Sequence, residues 1–199
     1  MAPSGGPLHD GRPGRRNAGV RPPPLVVRAQ AAARELGLEV SCSPEAGALL
    51  HVLAARRGVF RVAELGTGCG IRAAWIVSAL PPGTPFVTVA ADPRRATEVA
   101  RLFESDPGVQ VLAGDWRELL PAHAPFDLLV SHTGEKHADV DVESTVGLLA
   151  PGGTVVLDGL TPERSLPDPA RELWLGHPWL AAVEVWTTPA TAAIVAVRI

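Results

Sequence analysis

The sequence predicts an α/β fold: a Rossmann-like, doubly wound sheet of seven strands, mostly parallel, that ends in an antiparallel hairpin. Three observations support this prediction. Short apolar segments alternate with helical segments five times between residues 60 and 175. These segments are apolar throughout, as in the strands of a parallel sheet that is covered on both faces. Only four residues separate the last two strand-like segments, and so short a link allows only an antiparallel pair.

Two helices are expected before the first strand. Residues 25–36 are apolar and rich in alanine, without glycine or proline. Ser43-Pro44-Glu45 has the order of a helix start, with a hydroxyl N-cap, a proline at the first helical position and an acid in the first turn. This second helix is expected to run through Arg56-Arg57 and to stop at Gly58.

The repeating units follow in order from residue 60. Each predicted helix has apolar residues on one face, as at residues 71–80, or ends at a Pro-Gly break, such as Pro81-Pro82-Gly83 and Pro151-Gly152-Gly153. The predicted strands are 60–65, 86–91, 109–112, 126–130 and 154–157, then 181–187 and 192–197 in the hairpin. The predicted helices are 71–80, 93–104, 117–120, 140–149 and 169–175.

Composition limits the remaining organisation. Residues 1–24 contain eleven Gly or Pro residues and few apolar ones, which predicts a disordered tail before a single domain at 25–199. The net charge of -3 gives no overall cationic field, so nucleic acid is not the expected partner. No apolar run is long enough to predict a membrane span. Two cysteines, Cys42 and Cys69, are typical of reduced thiols in the cytoplasm.

The segment after the first strand, residues 64–70, reads Glu-Leu-Gly-Thr-Gly-Cys-Gly. Its glycines have the spacing GxGxG, whereas a dinucleotide fingerprint needs GxGxxG and here has Ile71. The carboxylate of Glu64 would repel a pyrophosphate but favours a cationic ligand. S-adenosylmethionine, which carries a sulfonium and an ammonium, fits this pattern better than a nicotinamide dinucleotide. The candidate cofactor-binding residues here are Glu64, Gly66, Thr67, Gly68 and Gly70.

Further candidates follow the second and third strands, because ligands of such sheets bind beyond the carboxyl ends of the strands. Asp92 has two competing roles, as an acceptor for ribose hydroxyls or as the N-cap of the next helix before Pro93. Asp115 is a candidate acceptor for an exocyclic amine. Trp116 offers a flat surface to a purine or a substrate, or packs in the core.

The ends of the fourth and fifth strands supply the candidate catalytic residues His132, Lys136 and Asp158. A neutral His132 is suited to remove a proton from the methyl acceptor. Lys136 has that capacity only if desolvation lowers its pKa. His132, His137 and Asp158 are also metal-ligand types, but they are scattered over two segments, and ordinary polar loop residues are the alternative.

In these motifs, the chain resembles the class I S-adenosylmethionine-dependent methyltransferases. Within them it is similar to the small O-methyltransferases related to catechol and caffeoyl-CoA O-methyltransferases. The resemblance rests on five segments: VAELGTGCG (62–70), VTVAADP (87–93), VLAGDW (111–116), PFDLLV (125–130) and LLAPGGTVVLDG (148–159). It implies a seven-stranded sheet whose last strand is antiparallel. It also implies that Glu64 and the loop glycines line the methionine end of the cofactor, and that Asp115 and Trp116 lie near its adenine.

The chain departs from this family at three positions. The ribose-binding acid of the family falls on Ala90, two residues before Asp92. The metal-dependent members have Asp where this chain has His132, and Asn or Asp where this chain has Gly159. Only Asp158 matches their three ligands, and magnesium demands oxygen ligands in a strict octahedron. We therefore expect weak or absent magnesium binding, and metal-free catalysis with His132 as the base is our hypothesis.

These observations favour an enzyme that methylates an oxygen of a small molecule. Two alternatives stay open: an RNA-modifying methyltransferase, suggested by the arginines of the tail, and a catalytically degenerate binding protein, suggested by Ala90, His132 and Gly159. The identity of the methyl acceptor does not follow from the sequence. A homodimer is compatible with it.

Overall fold

The computed structural model describes residues 20–38, 42–132, 141–162 and 168–199. Seven strands form one sheet in the order β3-β2-β1-β4-β5-β7-β6. All neighbours pair in parallel except β7, which is antiparallel to both β5 and β6. The predicted fold class is therefore confirmed. The strands are β1 (Val62–Leu65), β2 (Phe86–Ala90), β3 (Val109–Ala113), β4 (Phe126–His132), β5 (Leu149–Leu160), β6 (Leu180–Thr188) and β7 (Thr191–Arg198).

Helices cover both faces of the sheet, and each face has its own apolar core. Alternation along β1 divides them, since Val62 belongs to the first core and Ala63 to the second. Trp75 of α3 is buried in the first core and Trp174 of α7 in the second. The helices are α1 (Pro24–Glu35), α2 (Pro44–Ala55), α3 (Ile71–Val77), α4 (Pro93–Leu102), α5 (Trp116–Leu119), α6 (Val142–Leu148) and α7 (Pro169–Leu175).

Local sequence signals explain where several helices begin. The Ser43 hydroxyl accepts a hydrogen bond from the Ala46 amide at the start of α2, as the sequence predicts. Helix α1 begins at Pro24, so the last residue assigned to the tail is the first helical residue. Residues 1–19 of that predicted tail lie outside the described residues. In the part of the chain that the structure describes, no helix is both long and apolar enough to cross a bilayer.

Three predicted strands have bounds that are wrong by two or more residues, and pairing explains each; the predicted helix 71–80 also ends earlier, at Val77, and the helix predicted through Arg57 ends at Ala55. Strand β1 begins at Val62, because the amides of Phe60 and Arg61 donate to the Asp127 carboxylate instead. Strand β4 continues to His132, which pairs with Asp158 of β5. Both residues therefore lie within strands and not after them.

The third correction concerns Pro151-Gly152-Gly153, which do not form a loop between helix and strand. They lie within β5, which begins at Leu149 and shifts register against β4 in this segment. Gly153 is required there, because a Cβ atom would come within 2.6 Å of the Phe126 carbonyl oxygen. A Pro-Gly-Gly sequence predicts a break in regular structure. The local sequence gives no sign that pairing with the neighbouring strand accommodates this segment within β5.

The strands β2 and β3 lie on one side of β1, and β4 and β5 lie on the other, so the strand order reverses at β1. This reversal creates the crevice in which ligands of such sheets bind. β1 pairs with β2 on one side and with β4 on the other. In this register Glu64 lies beside Thr88 and Val130. The end of β1 is thus flanked by the ends of β2 and β4, and the residues that follow these strands converge on one edge of the sheet.

Helix packing generates a first prediction, on two helical glycines. Gly47 of α2 faces the indole of Trp75, and a Cβ atom there would overlap that ring. Gly147 of α6 has open space around its Cβ position. We expect Gly47→Ala to lower the free energy of unfolding by about 1–3 kcal/mol, because overpacking outweighs the gain in helix propensity. Gly147→Ala, the matched control, should raise it by up to about 1 kcal/mol.

Urea unfolding of both variants measures the two changes. Equal effects of the two substitutions would contradict the tight contact between α2 and α3.

Candidate functional site

The glycine loop between β1 and α3 adopts a backbone that other residues rarely take. Gly66 has φ = 84° and Gly70 has φ = 79°. A Cβ atom on Gly66 would point into open space, whereas one on Gly70 would lie 3.0 Å from Leu102 of α4. The amides of Gly66 and Thr67 both donate to the Val89 carbonyl, at 3.1 and 3.0 Å, and fasten the loop to β2. Hydrogen bonds thus fix the loop to β2, and the space on the Cβ side of Gly66 is open.

In front of the loop lies an open cleft of about 450 Å³, formed by the ends of β1, β2 and β3. Three of the predicted cofactor-binding residues, Gly66, Asp115 and Trp116, line it. The remaining lining residues are Val89, Ala91, Gly114 and Arg117.

The wall of this cleft at the end of β3 combines an aromatic ring with a cation. The Arg117 guanidinium lies over the Trp116 ring at 4.6 Å from its centroid. The Asp115 carboxylate caps α5 by accepting a hydrogen bond of 2.9 Å from the Arg117 amide. Asp115 is half-exposed, so solvent or a ligand has access to it.

Asp92 is placed differently. Its carboxylate caps α4, accepting from the Arg94 amide at 2.9 Å. It is exposed and does not line the cleft, whereas its neighbour Ala91 does. Of the two roles open to Asp92, the structure displays the helix cap.

Glu64 lies behind the glycine loop with its side chain fully buried. The Thr88 hydroxyl donates to its Oε2 atom at 2.7 Å, but Oε1 has no hydrogen-bond partner among the described residues. Burial raises the pKa of Glu64 to about 7, although the charge of Arg72 and the hydrogen bond from Thr88 lower it. Buried polar atoms are normally paired. An unpaired carboxylate oxygen is therefore a place for a cationic or hydrogen-bond-donating group.

Arg72 is a site residue that the sequence analysis missed. Every residue of α3 is buried, and Arg72 is its only charged side chain. Its Nε atom donates to Oδ2 of Asp158 at 3.3 Å, with about 3–4% of either side chain exposed. The available signal was an arginine two residues after Gly70, in a predicted helix whose first turns are otherwise apolar.

The pairing of β4 with β5 joins two of the predicted catalytic residues. Nδ1 of His132 lies 3.7 Å from Oδ2 of Asp158, and 29% of the histidine side chain is exposed. Burial alone would raise the pKa of Asp158, but the contact with His132 and the charge of Arg72 hold it below its ordinary value. Asp158 is thus an anion that faces two potential cations. Lys136 and His137 lie outside the described residues.

Among the described residues, the donor set around Asp158 does not fit a divalent metal ion. In the part of the chain that the structure describes, no three His, Cys, Asp or Glu side chains are grouped to hold one. Asp158, the residue that matches a ligand of the metal-dependent relatives, is paired with the guanidinium of Arg72. A fixed cation at this position repels a second one.

Comparisons with known proteins agree with this geometry. The family model described as a methyltransferase domain matches residues 63–159. A candidate O-methyltransferase of Mycobacteroides abscessus is 29% identical over 149 residues, which cover 70% of this chain and 69% of that protein. A second one, from Mycolicibacterium vanbaalenii, is 31% identical over 137 residues, which cover 64% of this chain and 60% of that protein.

Residues 63–159 thus form a methyltransferase domain, and the chain is similar to O-methyltransferases. This confirms the resemblance stated from the sequence.

Solved structures support the same fold. The O-methyltransferase TomG from Streptomyces achromogenes, in complex with S-adenosylmethionine, superposes with a TM-score of 0.70 at 24% identity, covering 90% of this chain and 91% of that one. The O-methyltransferase from Bacillus cereus, in complex with S-adenosylhomocysteine, gives 0.72 at 20% identity, covering 90% and 93%. The sheet and the crevice are thus those of the methyltransferase fold.

The burial of Glu64 generates a second prediction, on pH. Its folded pKa of about 7 exceeds the ordinary value of 4.5, so the folded state binds the proton more tightly than the unfolded state. The protonated form stabilises the fold at low pH, and this contribution is lost as the pH rises through about 7. We therefore expect Glu64→Gln to gain about 2–3 kcal/mol over the wild-type protein between about pH 5 and pH 8.

Urea unfolding of both proteins across this range measures the difference. Parallel stability curves would show that Glu64 has an ordinary pKa and would contradict its desolvation.

Proposed function

We propose that this methyltransferase transfers the methyl group of S-adenosylmethionine to an oxygen of a small molecule, with His132 as the general base and without a divalent metal ion. The observation that supports the proposal best is the unpaired Oε1 of buried Glu64 behind the glycine loop. A cationic cofactor supplies a positively charged partner for this carboxylate, whereas a pyrophosphate does not.

In this proposal each part of the crevice contacts one part of the cofactor. Glu64 and the loop residues Gly66 to Gly70 lie at the methionine end, where Thr67 has a buried hydroxyl without a partner among the described residues. Trp116 offers its ring face to the adenine, and Asp115 accepts from the adenine amine. Asp92 reaches the ribose only with the oxygen that the helix cap leaves available.

The bond changes of the proposed reaction balance without a metal. The acceptor oxygen attacks the methyl carbon, the carbon–sulfur bond breaks, and sulfur keeps the electron pair as a neutral thioether. The acceptor proton moves to the unprotonated nitrogen of His132. Solvent then removes this proton and restores the neutral imidazole. Asp158 stabilises the protonated ring. Lys136 stays a candidate for a second polar contact with the acceptor.

The other proposals follow from coarser observations. The partner is a small molecule, because the sequence has no overall cationic field for nucleic acid. We place the protein in the cytoplasm, because two cysteines, Cys42 and Cys69, are too few for a disulfide scaffold. A homodimer remains a prediction, which analytical ultracentrifugation tests.

The proposed reaction gives a third prediction, which uses a matched pair of histidines. With a panel of catechols and hydroxy acids, the wild-type protein should form S-adenosylhomocysteine, and EDTA should not stop it. His132→Gln should lower turnover about 10²–10⁴-fold, the range of general-base catalysis. His123→Gln is the control, because His123 lies in a short 3-10 helix before β4, at the opposite end of that strand.

Mass spectrometry of the products measures both variants. Full activity of His132→Gln together with loss of activity in EDTA would refute the metal-free mechanism. Binding of S-adenosylmethionine without methylation of any acceptor in the panel would favour a binding protein. Methylation of RNA that is lost on deletion of residues 1–24 would favour the RNA alternative.

A further inference from the structure

A single carboxylate oxygen lies near nitrogen atoms of two side chains, Arg72 and His132, in the crevice. Oδ2 of Asp158 accepts from Nε of Arg72 at 3.3 Å and lies 3.7 Å from Nδ1 of His132. The three residues come from three different elements: the start of α3 and the ends of β4 and β5. The arrangement therefore exists only in the folded sheet, in which His132 and Asp158 are direct register partners.

Burial makes the Arg72–Asp158 pair rigid. About 3–4% of either side chain is exposed, so water does not compete for the ion pair. A carboxylate in this position has no freedom to rotate away, because a buried charge that loses its partner is strongly destabilised. His132, in contrast, has 29% of its side chain exposed and is free to reorient unless a neighbour fixes it.

The neighbour that fixes a histidine ring also decides which nitrogen carries the proton. A carboxylate accepts hydrogen bonds, so it favours the tautomer with hydrogen on Nδ1. Nε2, on the other side of the ring, is then left with its lone pair. The distance of 3.7 Å exceeds that of a hydrogen bond, as is common in catalytic sites without bound substrate.

We propose that Arg72 is a positioning residue: it anchors the Asp158 carboxylate against Nδ1 of His132 and so leaves Nε2 as the basic nitrogen of the acceptor site. This inference rests on the proposed function for its catalytic meaning. The geometric part, the tautomer of His132, is independent of any cofactor or acceptor. The same guanidinium provides the fixed positive charge beside Asp158, where a divalent ion would otherwise have to bind.

Nitrogen-15 NMR of the full chain with labelled histidine tests the proposal, because protonated and unprotonated ring nitrogens have distinct shifts. The spectrum is recorded at a pH at which the imidazoles are neutral. The chain has six histidines, and the signal of His132 is the one missing from His132→Gln. We expect the Nδ1–H tautomer in the wild-type protein and in Arg72→Lys, which keeps the charge, and loss of this preference in Arg72→Gln.

Arg95→Gln is the matched control. Arg95 also pairs with an acid, Glu98, but the pair is partly exposed on α4. This variant should leave the His132 signal unchanged.

Arg72→Gln removes the buried cation beside Asp158 and has a risk of unfolding. We expect the double variant Arg72→Met/Asp158→Leu to fold, because apolar groups of similar volume often replace a buried ion pair without loss of stability. It must also lose the Nδ1–H preference.

Two results would overturn the proposal: an Nε2–H tautomer in the wild-type protein, or the wild-type tautomer in Arg72→Gln or in the double variant. Calorimetric titration of the same samples with S-adenosylmethionine separates this question from the proposed function. Failure of the wild-type protein to bind that cofactor would refute the function and leave the tautomer result intact.

Discussion

The pairing of buried charged groups at the switch point of the sheet is the constraint on which the site depends. Among the described residues there, two buried acids, Glu64 and Asp158, lie near one buried cation, Arg72, which forms an ion pair with Asp158. Burying a charge costs several kcal/mol unless a partner offsets it. Asp158 has such a partner, whereas among the described residues Glu64 has only the Thr88 hydroxyl at one oxygen. In the proposed function, Glu64 serves a cationic ligand and Asp158 serves His132.

The sheet register places these charged groups in two halves of the crevice. Glu64 is the penultimate residue of β1 and lies beside Thr88 of β2. The residues at the ends of β2 and β3 line the cleft together with Trp116. On the other side of the switch point, β4 and β5 place His132 opposite Asp158. Helix α3 starts between these halves and provides Arg72. In the proposed reaction, a methyl donor bound in the first half faces His132, the proposed base, in the second.

The order of strands and helices, the hairpin and the glycine loop could be predicted from the sequence, because each depends on local patterns of apolar residues, caps and turns. The ends of β4 and β5 could not, because cross-strand pairing decides them. The approach of His132 to Asp158 joins residues 26 positions apart. Arg72 was missed because a helical arginine is usually exposed, and only the packing of α3 reveals that this one is buried.

Cofactor binding tests the central claim most directly. We predict that S-adenosylmethionine at a hundredfold excess over its dissociation constant stabilises the protein by about 2.7 kcal/mol. This raises the melting temperature by roughly 5–11 °C. A nicotinamide dinucleotide should leave the melting temperature unchanged. Glu64→Gln should weaken calorimetric binding of the cofactor about tenfold or more, and the exposed control Glu104→Gln should not. Stabilisation by the dinucleotide, or undiminished binding by Glu64→Gln, would contradict the account.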